Sequence, residues 1–271
     1  MPTTPYRPVV VKLGGSVITR KREVERVRAK VLGRLANELA GYAPSGGLVV
    51  LHGAGSFGHP GAVRWGLADA PTVPPKGGAR VRGASIVSAE VRRLHVTVLR
   101  ALVEAGANPW SVPAASVAKN RAGRLVEFDA APFISALSAG ALPVSFGDVV
   151  PDLDWGSSIL SADTIAVELA RRLPAERVVF VSDVEGILSD PGGGGRRSVI
   201  PTVTREVVEH LAPRPKAPDV TGGIRGKAEA MLTIASSGAH AGLISGLKGG
   251  ALSRAIRGEM VYGSWASATS H

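Results

Sequence analysis

Lysines and glycines recur in this chain where buried strands are predicted to end, and that combination suits the binding of phosphate groups. The β-branched run from Val9 to Leu13 leads into the turn GGS (14–16), and Lys12 lies one residue before its end. Glycines let backbone N–H groups approach an anion closely, while a lysine ammonium neutralises its charge. Lys227 follows another glycine pair at the predicted start of a helix, whose N-terminus favours negative charge.

A second glycine turn, HGAGSFGH (52–59), follows the apolar strand predicted for 48–51. Its glycines match the pattern G-x-G-x-x-G, but the helix and the acidic residue that complete a dinucleotide-binding motif are missing. The Walker A pattern is also absent from the sequence. His59 closes this loop, where an imidazole can hydrogen-bond a phosphate oxygen. No nucleophile elbow and no metal-cage spacing occurs, so we expect no residue of the chain to serve as a metal ligand.

Acidic residues follow two further strands and open one helix. Asp148 and Asp183 are the second residues after the strands predicted for 142–146 and 178–181, and a carboxylate buried there needs a polar partner. Asp163 opens the helix predicted for 161–172, with Ser161 as its N-cap. A first-turn acid that complements the helix dipole is the plain structural interpretation of Asp163.

The remaining pattern predicts an α/β fold. Further helices are predicted for 22–41, 85–105 and 223–237, a loop for 66–84, a hairpin for 149–158, a flexible tip at 192–195, a strand for 241–245 and an edge strand within 258–265. Strands that are apolar throughout and alternate with amphipathic helices indicate a mainly parallel sheet in a three-layer αβα sandwich. Ligands bind such sheets beyond the carboxyl ends of the strands, where four glycine turns are predicted.

Composition narrows the class of protein. The chain has 271 residues, 45% hydrophobic and 20% charged, which excludes intrinsic disorder. Zero cysteines exclude disulfides and thiolate zinc sites and favour a reducing cytoplasm. We see no membrane span or secretory signal. Eight basic and two acidic residues in 1–30 supply +6 of the net charge of +10, which favours a small polyanionic ligand over nucleic acid, since no RNA-stacking module is present.

Six motifs in order resemble the amino acid kinase superfamily over residues 8–263: KLGGS (12–16), HGAGSFGH (52–59), FGD (146–148), ILSAD (159–163), SDVEG (182–186) and DVTGGIRGK (219–227). Within it, GSFGH, GDVVPD, GSSILSAD and DVTGGIRGK are most similar to isopentenyl phosphate kinases. The resemblance implies an amino acid kinase-like fold and ATP-dependent phosphorylation of isopentenyl monophosphate to isopentenyl diphosphate, a step of isoprenoid synthesis.

The resemblance also implies roles for individual residues. ATP phosphates would be contacted by Lys12, Gly14, Gly15 and Ser16. The rest of the ATP site would comprise Gly55, Asp183, Gly223 and Lys227. The acceptor would be held by Ala54, His59 and Gly156. Lys21 would bridge to the transferring phosphoryl group and Asp163 would orient the lysines, so that the catalytic set is Lys12, Lys21, His59, Asp163 and Lys227.

Further expectations follow from the same resemblance. Residues 1–271 would form one domain, with an acceptor-binding lobe over 1–160 and an ATP-binding lobe over 161–271. Mg²⁺ would be carried by the ATP phosphates, and the chain would form a homodimer without nucleic-acid or membrane partners. Two departures from the family pattern stand out. Ala54 replaces a common glycine, which is tolerable with a negative φ, and Arg20 replaces an aspartate that often precedes the lysine.

Three other functions stay open at this point. A phosphonate kinase of the fosfomycin type shares the histidine of the glycine loop. Kinases that act on a carboxylate or on a nucleoside monophosphate share the fold, although a carboxylate acceptor leaves His59 without an obvious role. A non-catalytic nucleotide-sensing or nucleic-acid-binding protein is favoured by the basic N-terminal segment alone, and its affinity would fall steeply with salt.

Overall fold

The computed structural model describes residues 7–20, 23–42, 47–67, 69–71, 78–189, 197–211 and 223–267. Lys21 and the tip predicted at 192–195 therefore lie outside the described residues. Eleven strands occur within the described part, in chain order β1 (Val9–Leu13), β2 (Leu48–His52), β3 (Pro109–Ser111), β4 (Ala118–Arg121), β5 (Arg124–Phe128), β6 (Leu142–Phe146), β7 (Asp148–Asp152), β8 (Gly156–Leu160), β9 (Arg177–Ser182), β10 (His240–Ser245) and β11 (Gly263–Ala266).

Ten helices accompany these strands in the same described ranges: α1 (Gly15–Ile18), α2 (Ala29–Ala40), α3 (Gly55–Arg64), α4 (Ala79–Glu104), α5 (Ala114–Val117), α6 (Ala131–Ser138), α7 (Ala162–Arg172), α8 (Arg205–His210), α9 (Gly223–Ser236) and α10 (Ala251–Ile256). None of the helices described here combines the length and the apolar character that crossing a membrane requires.

Seven strands form one central sheet in the order β11-β10-β9-β1-β2-β6-β3. All neighbours are parallel except β10 and β11, which are antiparallel. A separate four-stranded sheet has the order β5-β4-β7-β8. The carboxyl ends of β10, β9, β1, β2 and β6 consequently lie along one edge of the central sheet.

Alternate residues of the central strands enter opposite hydrophobic cores. Val9 and Val11 pack in one cluster with α2 and α4 residues such as Leu35 and Leu94. Val10 packs in the other cluster with side chains of α7 and α9. Both faces of the sheet are thus covered by helices, which confirms the three-layer αβα sandwich.

The helix predicted for 22–41 is wrong over the described residues 23–28, because α2 begins at Ala29. Glu25 adopts a left-handed conformation with φ of 52°, which a right-handed helix does not accommodate. The amide of Glu25 donates to Ser56 O and that of Arg28 to Ile18 O, while Thr19 and Val27 form a β-bridge. Tertiary hydrogen bonds therefore hold this segment as a loop above the start of α3.

The hairpin predicted for 149–158 is confirmed as β7 and β8, and one carboxylate organises its turn. Asp152 is buried and accepts hydrogen bonds from the Gly123 amide at 2.8 Å, the Trp155 amide at 2.9 Å and the Ser158 hydroxyl at 2.8 Å. The same carboxylate thereby joins the β4–β5 turn to the β7–β8 turn. It fixes the position of Gly156, the first residue of β8, which takes a positive φ of 74°.

Two helix predictions and one strand prediction need small corrections or none. The N-cap at Ser161 is confirmed, since its hydroxyl accepts a hydrogen bond from the Thr164 amide at 3.0 Å. α4 begins at Ala79 rather than 85 and takes in part of the loop predicted for 66–84, although residues 68 and 72–77 lie outside the described part. The edge strand predicted within 258–265 is shorter, covering Gly263–Ala266.

Candidate active site

The glycine turns lie side by side at the carboxyl edge of the central sheet. The first amide after each of β1, β2, β6 and β10 donates to the neighbouring strand and so extends the parallel ladder: Gly14 N–H to Val181 O at 2.7 Å, Gly53 N–H to Leu13 O at 2.9 Å, Gly147 N–H to His52 O at 3.0 Å and Gly246 N–H to Ser182 O at 2.8 Å. Neighbouring strands are about 4.8 Å apart, so five strand ends span about 19 Å. β9 ends at the same edge, since its Val181 O and Ser182 O accept two of these hydrogen bonds, and the four predicted turns therefore share one edge.

Two of these turns touch through their backbones, and only glycine permits the contact. A Cβ on Gly15 would lie 2.3 Å from Gly55 N, and a Cβ on Gly53 would lie 2.8 Å from Gly15 N. Thr19 is fully buried between them, donating its hydroxyl to Gly15 O at 2.7 Å and accepting from the Ser56 amide at 3.0 Å. α1 and α3 therefore begin next to each other, and the amides of a first helical turn have no partner within their helix.

One carboxylate joins two lysines at this edge. Asp163, in the first turn of α7, lies with Oδ1 2.6 Å from Lys12 Nζ and Oδ2 2.5 Å from Lys227 Nζ. The exposed side-chain fractions are 9% for Lys12, 14% for Lys227 and 8% for Asp163, so all three charges are nearly withdrawn from water. Lys227 Nζ also lies 5.2 Å from the centre of the Phe180 ring, which favours its charge. The two lysines, 215 positions apart in sequence, thus converge on one point.

The protonation states follow from this geometry. Burial lowers the pKa of Lys12 to about 8, against the attraction of Asp163. Burial alone raises the pKa of Asp163, but the charges of Lys12 and Lys227 outweigh it and hold that pKa below its ordinary value. Two ammonium groups and one carboxylate leave a net positive charge in a site that is nearly withdrawn from water. Burying an uncompensated charge is unfavourable in free energy unless an anion binds beside it.

The other residues implied for ATP binding surround this group. Ser16, in α1, donates its hydroxyl to Asp183 Oδ1 at 2.6 Å, so the turn after β1 is joined to the turn after β9. Gly14 precedes α1, and Gly223 is the first residue of α9 with a positive φ of 63°. Lys227 lies one helical turn after Gly223. The roles of these residues in binding ATP stay predictions.

Two of the three residues implied for the acceptor, Ala54 and His59, belong to the beginning of α3. Ala54 is the N-cap of α3, and its φ of −71° is the negative value that replacement of glycine required. Gly55, with a positive φ of 52°, is the first residue of α3, and His59, half-buried, lies on that helix. α3 packs tightly on α4, since a Cβ on Gly58 would lie 2.7 Å from Val91 Cγ2.

Apolar side chains fill the space beside this region. The cluster comprises Leu67, Ala84, Val87, Val91, Phe146 and Val149, with Ala54, Trp65 and Ile159 packed against it. A cavity of about 200 Å³ lies between the first turns of α4 and the β7–β8 hairpin, lined by Arg80, Val81, Ala84, Ser85, Trp155, Gly156 and Ser157. Gly156 is thus at this cavity rather than at the glycine loop of 52–59.

Sequence reasoning missed one glycine turn and two polar partners. The turn after β10, GLKGG (246–250), is a fifth glycine turn at the same edge, and its position after an apolar strand could have revealed it. Asp148 was predicted to need a polar partner, and Arg92 of α4 supplies it with two hydrogen bonds of 3.0 Å. His95 of α4, 3.0 Å from His52, had no signal, because nothing local links positions 43 apart.

The parallel sheet with glycine turns and lysines at one edge is typical of proteins that bind phosphate groups. Comparison with known proteins identifies the family. The model of the amino acid kinase family matches residues 7–245. The chain belongs to the amino acid kinase family.

Curated relatives narrow the similarity further. The chain is 34% identical over 230 residues to the isopentenyl phosphate kinase of Thermoplasma acidophilum, covering 84% of this chain and 87% of that protein. It is 32% identical over 260 residues to the isopentenyl phosphate kinase of Methanothermobacter thermautotrophicus, covering 94% and 97%. A crystal structure of isopentenyl phosphate kinase superposes with a TM-score of 0.82 at 28% identity, covering 96% of this chain and 100% of that one.

The burial of Lys12, Asp163 and Lys227 together predicts that removing the charge of Asp163 destabilises the fold. Asp163→Asn keeps the shape of the side chain but leaves two buried ammonium groups without a counter-charge. We expect the free energy of unfolding at pH 7, measured by urea titration, to fall by about 3 kcal/mol. Asp154→Asn, an exposed acid in the β7–β8 turn, is the matched control and should change it by less than about 0.5 kcal/mol. A wild-type value for Asp163→Asn would show that the three charges are not a buried unit.

Proposed function

We propose that this chain transfers the terminal phosphoryl group of ATP to isopentenyl phosphate and releases isopentenyl diphosphate and ADP. Relatives named isopentenyl phosphate kinase over most of both chains support this acceptor. They favour it over a phosphonate, a carboxylate or a nucleoside monophosphate. Glycine turns and lysines gathered at one sheet edge support the phosphate chemistry.

The observation that carries the proposal is the unbalanced charge of the group Lys12–Asp163–Lys227. Phosphoryl transfer requires two anions to meet and needs little covalent chemistry from the protein. Asp163 keeps both ammonium groups within 2.6 Å of its oxygens, so they are oriented before any ligand arrives. Preorganised cations in a water-poor site stabilise the charge on the transferring oxygens without reorganising during the reaction.

His59 has a different role in this mechanism. The second pKa of a phosphate monoester is about 6, so the attacking oxygen is already mostly ionised at pH 7 and no general base is required. His59 holds the acceptor phosphate by a hydrogen bond and offsets part of its charge. Ala54 and Gly156 complete the acceptor side, and Gly14, Gly15, Ser16, Gly55, Asp183 and Gly223 complete the ATP side.

Lys21 and Mg²⁺ supply further positive charge in the proposal. Lys21, which lies outside the described residues, would contact the transferring phosphoryl group; four positions further along the chain, the Glu25 amide donates to Ser56 O at the start of α3. Within the described residues, no three histidine, aspartate or glutamate side chains are grouped to hold a metal ion. Mg²⁺ often binds through substrate phosphates, so it would enter with ATP and neutralise the phosphate oxygens there.

The cavity of about 200 Å³ beside the apolar cluster, lined in part by Val81 and Ala84 of α4, would receive the five-carbon tail. An alkenyl tail offers no hydrogen bonds, so each methylene contributes only about 1–3 kcal/mol to discrimination. Related small alkyl phosphates should therefore be weaker substrates rather than inert compounds.

The proposal also keeps the expected domain organisation and assembly. Residues 1–160 would supply the acceptor-binding lobe and 161–271 the ATP-binding lobe of one domain. A homodimer is supported by apolar side chains exposed at the free edge of the sheet, where Trp110 of β3 is 53% exposed and Val103 is 59% exposed. The absence of cysteine supports a cytoplasmic location.

The proposed function is tested by presenting ATP and Mg²⁺ with isopentenyl phosphate, fosfomycin, acetylglutamate and uridine monophosphate in parallel. We expect the highest kcat/KM with isopentenyl phosphate. His59→Ala or Lys21→Ala should lower it on the order of 100-fold, because each removes a donor to a transferring or accepting phosphate. His240→Ala is the matched control, since His240 is exposed at the amino end of β10, away from the site. Preference for another acceptor, or full activity in the His59 variant, would contradict the proposal.

The lowered pKa of Lys12 predicts a pH dependence. Lysine is cationic below its pKa, so with a value of about 8 the charge on Lys12 is present at pH 7 and is lost as pH rises through 8. Since kcat/KM for ATP reports the free enzyme, it should be level below pH 7.5 and fall about tenfold per pH unit above pH 8. Steady-state rates between pH 6.5 and 9.5 measure this. A profile level to pH 9.5 would show that Lys12 does not act as a charged group with this pKa.

A further inference from the structure

A hydrogen-bonded chain crosses the core from the edge strand β3 to the glycine loop after β2. Ser111 Oγ lies 2.8 Å from His95 Nε2, His95 Nδ1 lies 3.0 Å from His52 Nε2, and His52 Nδ1 lies 3.2 Å from Gly53 O. His52 is fully buried and His95 is 4% exposed. The chain therefore links a surface hydroxyl to the backbone of the loop through two histidines inside the protein.

Chemistry fixes the direction of every hydrogen bond in this chain. A carbonyl oxygen only accepts, so His52 Nδ1 carries the proton that is donated to Gly53 O. In a neutral imidazole the other nitrogen then accepts, so His52 Nε2 accepts from the protonated Nδ1 of His95. By the same reasoning His95 Nε2 accepts from the Ser111 hydroxyl. Both histidines are thus assigned the Nδ1–H tautomer.

The surroundings keep both rings neutral and in place. Burial lowers the pKa of His52 to about 4 and that of His95 to about 3, so neither is charged at pH 7. The ring of His52 stacks on that of Phe146 with centres 5.4 Å apart, and the His95 ring lies 4.3 Å from Phe146. Tight packing of this kind holds the two imidazole rings in a single orientation.

We propose that His52 and His95 are positioning residues that orient the peptide between Gly53 and Ala54 so that the Ala54 N–H faces the acceptor phosphate. In a trans peptide the N–H points opposite to the C=O. Because Gly53 O is held toward the buried His52 ring, the Ala54 N–H points away from that ring, at the N-cap of α3. This inference rests on the proposed function, in which Ala54 lies on the acceptor side.

The chain also ties the loop to the helix that packs against it. His95 lies on α4, four residues after Val91, whose side chain contacts the apolar cluster beside Ala54. Arg92, one turn before His95, holds Asp148 at the start of β7. α4 thus sets the positions of the glycine loop and of the β7 strand together.

The first arm of the test needs no activity. Long-range ¹H–¹⁵N spectra of the histidine side chains report which ring nitrogen carries the proton, and the chain contains only six histidines. We expect one ring signal to disappear and a second to shift in His95→Phe, which assigns them to His95 and His52, and we expect both to be neutral Nδ1–H rings in the wild type at pH 7. His210, whose Nδ1 lies 2.8 Å from Glu206 O on the exposed helix α8, is not altered by this substitution. An Nε2–H tautomer for either ring would overturn the proposal.

The second arm compares two substitutions of His95, one that keeps the aromatic ring and one that keeps the hydrogen-bond donor. His95→Phe keeps an aromatic ring against Phe146 but removes the donor to His52, whereas His95→Asn loses the ring but keeps an N–H at the position of Nδ1. Loss of the buried donor should lower kcat/KM for isopentenyl phosphate about tenfold in His95→Phe. KM for ATP should change less than twofold, and His95→Asn should stay within about threefold of the wild type.

The other outcomes distinguish failure of the positioning role of His95 from failure of the proposed function. Equal losses in both variants, or a greater loss in His95→Asn, would mean that packing rather than the hydrogen bond matters and would overturn the proposal. Val96→Ala, a neighbouring exposed position on α4, is the matched control. A wild-type protein that does not phosphorylate isopentenyl phosphate would contradict the proposed function instead, while the tautomers would still be measured.

Discussion

The structure depends on one carboxylate that holds two lysines together out of water. Asp163 is the only counter-charge that the described residues show within ion-pair distance of Lys12 or Lys227, so the group keeps a net positive charge. Burying such a group is unfavourable by itself. Its placement at the carboxyl edge of a parallel sheet is explicable if an anion completes it. The phosphates of ATP and of a phosphate acceptor are anions of the required kind.

The fold supplies this group with neighbours in a regular way. Parallel strands bring their carboxyl ends to one edge, and each glycine turn extends the ladder by one hydrogen bond before the chain leaves the sheet. The backbones of Gly15 and Gly55 then come so close that no side chain fits between them. Helix starts, lysines and the acceptor-side residues are therefore positioned by backbone hydrogen bonds and contacts. This rigidity suits a reaction whose catalysis is mainly positioning and charge neutralisation.

Local patterns in the sequence were sufficient to predict the central sheet and its glycine-rich edge. They could not predict features that depend on contacts between residues far apart in the sequence. The runs 9–13 and 178–181 are apolar throughout, and Ser161 caps its helix, so these features could be predicted. Glu25 breaks the helix predicted for 22–41 through bonds to Ser56 that no local pattern reveals. Strands β3 and β5 are three and five residues long and mostly exposed, and β4 has only one apolar residue among its four, so the sequence shows no hydrophobic period there. The contact between His52 and His95 exists only after α4 has packed.

A crystal structure with a non-hydrolysable ATP analogue and isopentenyl phosphate would show whether phosphates complete the buried lysine pair. We expect Lys12 Nζ and Lys227 Nζ both to lie within about 3.2 Å of phosphate oxygens while still contacting Asp163, and the acceptor phosphate to lie beside His59. A triphosphate chain bound elsewhere on the molecule, with the two lysines turned only toward Asp163, would show that this pair is not the phosphate site.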